Sequence, residues 1–447
     1  MKLTNPWVDP FKAAASIDYI RTKTRISAQP LYRLDECLME VACAKIKQAF
    51  SETFIPTLQS CQVMKTFIEM AQSYAEIAYA DEHIFMRGVY GAKKIKDPYP
   101  PIIFTGPAGV GKSEVRKALV RLFEPVGSIK VNEEHPTFPL KPVNVVVANE
   151  KHAVSSLLKP LTSPEVQNGA VRITNDGLVA ESARWMYLCG CCLLILDELQ
   201  FFTRSSSANN LIANAMTSFS CIGPPNIVIC NYSLGHRLMT RNQEDRQRLL
   251  TRPIVLLPDP PQSPDWILVL MELQKIVPDV YQFSFKEKAI ELWNLTAGLK
   301  RLLVSLLLIA YRLARKSHGV PVNWVDIEKA YQSNDYLSDR EDVNKFILNG
   351  MFGTGLPMDL TCPFPVPQTD EQEINQGLKD ARERMVAESA ALSAMTVQER
   401  DQLFRAQRDV EKVEITEIEE KKNRSPKRAR SASELIKGAK KFRGNDE

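Results

Sequence analysis

The sequence predicts an α/β fold: a parallel sheet carrying a phosphate-binding loop and flanked by helices, a small helical lid, and helical or disordered terminal extensions. Three observations predict it. Between residues 102 and 258 short apolar runs alternate with amphipathic stretches, the texture of strands buried on both faces and linked by helices. A glycine-rich run ending in Lys112-Ser113 follows the first of those strands. From Ser263 the pattern turns helical throughout.

In chain order, residues 1–30 scatter Pro6, Trp7, Asp9 and Pro10 without a period and read as a loose arm. Residues 31–97 form a helical N-terminal region, with apolar positions recurring at three and four and an interruption at Pro56. Residues 98–260 hold the sheet, with strands expected at Ile102–Thr105, Val143–Ala148, Leu193–Leu196, Ile227–Cys230 and Ile254–Leu257. Helices are expected after Gly111, before Cys191 and around Ala208–Phe219. The lid, residues 261–356, carries apolar stripes through Trp266 and Leu273, Ala289 to Trp293, and Lys300 to Arg315. Residues 357–447 begin with a stiff linker at Pro363, Pro365 and Pro367, continue as a charged stretch of one or two exposed helices, and end in a basic disordered tail.

Composition narrows the function classes. The net charge of +4 gives no global basic field, so any nucleic-acid binding must come from local patches. Cys189, Cys191 and Cys192 have no histidine at ligand spacing, and read as buried thiols in a reduced compartment rather than zinc ligands. The N-terminus has no signal-peptide pattern, and the apolar run Leu302 to Tyr311 is about half a bilayer span. A cytoplasmic protein without a membrane partner is expected.

Gly106, Pro107, Ala108, Gly109, Val110, Gly111, Lys112 and Ser113 form a complete Walker A sequence between strand and helix. Glycines let successive backbone N–H groups close around phosphates, and the following helix points its positive end at the same anion. Lys112 supplies a point charge for the β- and γ-phosphates, and Ser113 a hydroxyl for Mg²⁺. ATP and Mg²⁺ are the expected cofactors.

Cys192 to Glu198 is an apolar strand ending in two carboxylates. Asp197 is expected beside Ser113, holding magnesium through water, and Glu198 is placed to activate the attacking water. The plainer reading of such a pair is a helix cap. Asn231, at the end of a further strand, suits contact with the γ-phosphate and lytic water, though a strand-end Asn is also simply a turn residue. Arg252, with Arg248 next, is the candidate arginine finger for a neighbouring subunit; a solvated basic face is the alternative. Arg301 lies off the apolar stripe of its helix, so it is free to reach the nucleotide or to remain a surface charge.

In this order the elements resemble the AAA+ ATPases, over residues 95 to 335. Within that family the runs Leu196 to Gln200 and Asn231 to Leu234 are similar to the transposition regulators of the TniB/TnsC type. Gly298 and Arg301 are similar to the second sensor of the replication-initiator branch, which usually has an acidic residue where Leu299 stands. The resemblance implies an AAA+ P-loop sheet with lid, and ATP-dependent assembly as a ring or filament homo-oligomer around double-stranded DNA. It also implies partners, a transposase and a target-selector protein, engaged through the terminal extensions. Lys151, Lys159 and Arg172 are candidate phosphate contacts on DNA, each of which is otherwise an ordinary surface charge. A nucleotide-gated scaffold, or another DNA-associated helper ATPase, is the competing reading.

Overall fold

The computed structural model describes residues 5–91, 99–124, 127–130, 137–148, 153–199, 208–317, 319–351, 355–366, 368–396, 398–399 and 402. Five strands form one parallel sheet: β1 (Ile102–Thr105), β4 (Val143–Val147), β5 (Leu193–Asp197), β6 (Asn226–Ile229) and β7 (Ile254–Val255), in the order β4-β5-β6-β1-β7. β2 (Gly127–Ile129) and β3 (Phe138–Leu140) make a separate antiparallel pair that the sequence pattern did not signal. Each is three residues long, too short for a readable alternation.

Helical crossovers between its parallel strands cover both faces of the sheet. Ile102 and Phe104 of β1, Leu193 and Ile195 of β5, and Ile227 and Ile229 of β6 face one core, shared with the N-terminal helices and the lid. Ile103, Leu194, Leu196 and Val228 face the other, packed on helices Val154–Leu158, Asn175–Leu188 and Ala208–Ser220. The two-residue alternation thus divides between two buried layers, which is why β1 and β5 read as nearly continuous apolar runs. Parallel strands end on the same edge, and the expected site residues follow those ends.

Two expectations need correction. Residues 5–30 are not a loose arm: Asp9–Ala14 and Ile17–Thr24 are helices, and Trp7, Phe11 and Ile20 are buried in the larger core. Trp7 packs on Phe85 at 4.8 Å and Phe11 on Phe123 at 4.8 Å, contacts between remote segments that no local period announces. The proline segment is likewise not a free spacer. Phe364 is buried in the second core, Thr361 O accepts from His236 Nε2 at 2.9 Å, and Pro363 lies against Gly235 in the helix Tyr232–Met239. The following helix, Gln368–Ala394, buries Ile374, Leu378 and Ala381, and Gly377 faces Pro261 and Trp293 of the lid. The opposite face of this helix, with Glu373, Gln376, Lys379 and Asp380, is exposed.

Contacts group Met1–Ala381 into one compact unit, while Arg382–Glu447 form a second. The basic tail, Lys421–Arg443, lies outside the described residues. The lid helices are Pro264–Ile276, Ala289–Thr296, Lys300–Ser317, Trp324–Gln332 and Leu337–Asn349. Among the described residues no single helix is long and apolar enough to cross a membrane. Cys189, Cys191 and Cys192 are buried, and burial pushes the Cys189 thiol up to about 11 and Cys191 to about 12. Among the described residues no group of three His, Cys, Asp or Glu side chains is arranged to hold a metal.

Candidate nucleotide site

The chain leaves β1 at Thr105 and turns through Gly106–Gly111 into the helix Lys112–Arg121. Gly109 and Gly111 have φ of 87° and 116°, in the region that favours glycine. The two glycines serve different ends. A Cβ at Gly109 would lie 2.8 Å from Arg301 Cβ, whereas one at Gly111 would meet nothing within 4 Å. The loop is therefore closed by the lid at Gly109 and open where its helix begins. Thr105 Oγ1 donates to Cys230 O at 3.0 Å, tying the ends of β1 and β6 together beneath it.

Lys112 is buried, with Nζ donating to Gly106 O at 2.6 Å and Pro107 O at 3.1 Å. Burial pulls its ammonium down to about 8. Cys230, Asp197 and Glu198 oppose that shift, while Arg301 adds to it. At the end of β5, Asp197 is 3% exposed. Its Oδ1 accepts the Glu198 N–H at 2.9 Å, and its Oδ2 lies 2.9 Å from Arg116 Nε. Burial pushes this carboxyl up, and Arg116 is the largest opposing influence. Glu198 is half-buried and has φ of 61°, a left-handed conformation unusual for a side chain of its size.

Asn231 is the N-cap residue of Tyr232–Met239, yet its side chain makes no capping bond. It lines a cavity of about 940 Å³ together with Gly109, Lys112, Ser113, Asp197 and Glu198. Arg301 closes the same cavity from the lid, its backbone N–H donating to Gly109 O at 3.3 Å. Residues remote in the chain thus line one space. The remaining wall includes Phe50, Phe54 and Ile55 of the N-terminal region and Val304 and Leu308 of the lid, with charged side chains such as Lys47, Arg312 and Asp339 among them.

Other expected residues stand elsewhere. Arg248, on the helix Gln243–Leu249, and Arg252 are exposed and do not line the cavity. Lys159 and Arg172 are exposed as well. Lys151 and Gln200 lie outside the described residues. Two features of the site lie outside the sequence motifs: the N-terminal wall and Arg116. The latter had a signal, since it follows Ser113 by three positions and so shares its helix face.

No protein-family profile matches the chain, and no curated protein does. Among solved structures, the Orc1 protein of Aeropyrum pernix in complex with DNA is 16% identical with a TM-score of 0.37, covering 70% of this chain and 76% of that one. A RuvB variant of Thermotoga maritima is 12% identical with a TM-score of 0.33, covering 64% and 75%. A structure describing katanin self-assembly is 12% identical with a TM-score of 0.36, covering 71% and 98%. Likenesses at these scores carry no argument. The parallel P-loop sheet with its helical lid stands on its own strand order and loop.

Proposed function

We propose that this protein is a Mg²⁺-dependent ATPase of the AAA+ type. The observation that supports the reading is the convergence of Ala108 to Ser113 of the loop, Asp197, Glu198, Asn231 and Arg301 on one cavity of about 940 Å³. In this reading the loop amides and Lys112 bind the β- and γ-phosphates. Glu198 orients and deprotonates the attacking water, Asn231 contacts that water and the γ-phosphate, and Arg301 reports the nucleotide to the lid. The donor set fits magnesium: Ser113 and Asp197 offer hard oxygens, and Mg²⁺ takes one or two protein oxygens with phosphate and water supplying the rest. When bound, the metal neutralises charge developing on the phosphate oxygens.

Within this reading the chain assembles on double-stranded DNA in an ATP-dependent way and couples target-site selection to transposase recruitment. The support is the resemblance of Leu196 to Gln200 and Asn231 to Leu234 to the TniB/TnsC-type regulators, together with the exposure of Arg248 and Arg252 outside their own cavity. Exposed arginines are available to a neighbouring subunit. Mixing Arg252→Ala chains with Glu198→Gln chains tests this: a finger acting in trans restores part of the turnover, and silence of every mixture argues against it. DNA affinity is expected to require ATP rather than ADP and to fall steeply with salt. Binding indifferent to the nucleotide removes the assembly reading while leaving the ATPase intact.

A further inference from the structure

Asp197 has both carboxylate oxygens engaged: Oδ1 by the Glu198 N–H and Oδ2 by Arg116, each at 2.9 Å. The Arg116 and Asp197 side chains are only 19% and 4% exposed. Arg116 Nε forms no aligned hydrogen bond, so the contact is chiefly coulombic. Arg116 lies one turn beyond Lys112 and Ser113 on the same helix, the element that also places the phosphate-binding lysine.

We propose that Arg116 is a positioning residue for the metal side of this site, with two consequences of opposite sign. Its charge fixes the Asp197 carboxylate, and through Oδ1 it steadies the left-handed turn that presents Glu198. The same charge repels any dication held by that carboxylate, so it keeps metal affinity low and the metal exchangeable. This inference rests on the ATPase reading above. A residue with a purely structural role would, when removed, weaken metal binding and turnover together. Removal of Arg116 instead strengthens one and weakens the other.

The test uses the full chain with saturating ADP at pH 8 and Mn²⁺ as the probe, its free concentration followed by electron paramagnetic resonance. Arg116→Met is expected to tighten Mn²⁺ binding by about tenfold. Turnover of ATP falls severalfold, and metal-free ADP affinity stays within about twofold. Arg116→Lys, which keeps the charge, returns Mn²⁺ affinity to near the wild-type value. Arg116→Gln, which leaves a polar partner for Asp197, carries the test should the methionine variant fold poorly, and the same tightening is expected. Mn²⁺ affinity that is unchanged or weaker in a variant retaining metal-free ADP binding overturns the proposal. A wild-type chain that binds neither ADP nor Mn²⁺–ADP removes the ATPase reading itself, a different result.

Discussion

The two ends of the cavity are built by different kinds of sequence. At the phosphate end a single run, Gly106 to Ser113, supplies the loop, and the ends of β5 and β6 bring Asp197, Glu198 and Asn231 beside it. At the other end, Phe50, Phe54 and Ile55 share the lining with Val304 and Leu308, roughly 250 positions away in the chain. The first is chemistry written locally, where backbone amides and one charge must sit in a fixed order. The second is packing, where any apolar side chain of suitable volume serves and no motif arises. Gly109 is the joint between them, because Arg301 begins the lid helix directly against it. Val304 and Leu308 follow Arg301 by roughly 4.5 and 10.5 Å of helix rise.

This division predicts that the phosphate end sets turnover and shares in affinity, whereas the far wall contributes to affinity alone. The largest effect is expected from Glu198→Gln, which should lower turnover about 100-fold or more while leaving ATP bound. Phosphate release beside a binding titration checks it, and equal loss of both would merge the two ends. Gly109→Ala comes next. Its Cβ would press on Arg301 and its φ of 87° disfavours any side chain. A penalty of about 1–3 kcal/mol corresponds to roughly 5- to 150-fold weaker ATP binding by titration calorimetry.

The third effect is set by pH. Lys112 titrates at about 8 in the folded chain against an ordinary value of 10.5. Between those values the unfolded chain binds more protons, so this group's contribution to stability rises with pH across that window. Phosphate needs the ammonium form, so ATP affinity should fall up to tenfold per unit above about pH 8, with a proton taken up on binding. Calorimetry in buffers of different ionisation enthalpy reads that proton directly, and a flat profile from pH 7 to 9.5 contradicts it. The smallest effect is expected from Val304→Ala, which removes two half-buried methyl groups from the wall. KM for ATP should rise about threefold to tenfold with kcat unchanged, because this contact is the same in ground and transition states. A fall in kcat instead would place the chemistry nearer the lid.

The same contrast explains what was legible beforehand. Each of the five parallel strands lies where its apolar run predicted, because burial on both faces leaves a strong local signature in Ile102–Thr105 and Leu193–Leu196. Loop geometry was legible because glycine, lysine and serine are each needed at one position. Trp7 and Phe11 were not, since their partners Phe85 and Phe123 lie about 80 and 110 positions away. The Pro363–Phe364 segment reads as a spacer in the sequence because prolines look alike whether free or seated. Its seat is Gly235, a mid-helix glycine whose cost of roughly 1 kcal/mol relative to alanine makes sense only with a close neighbour. Arg116 was hidden by charge: an arginine on a helix usually meets solvent.

The proposed activity requires a triphosphate seated on the 106–113 loop. Equilibrium titration of Mg-ATP into the wild-type chain and into Lys112→Ala measures that most directly. The prediction is one saturable site per chain, weakened at least tenfold by the substitution in a protein that keeps its fold. Equal affinity in the two proteins would contradict it.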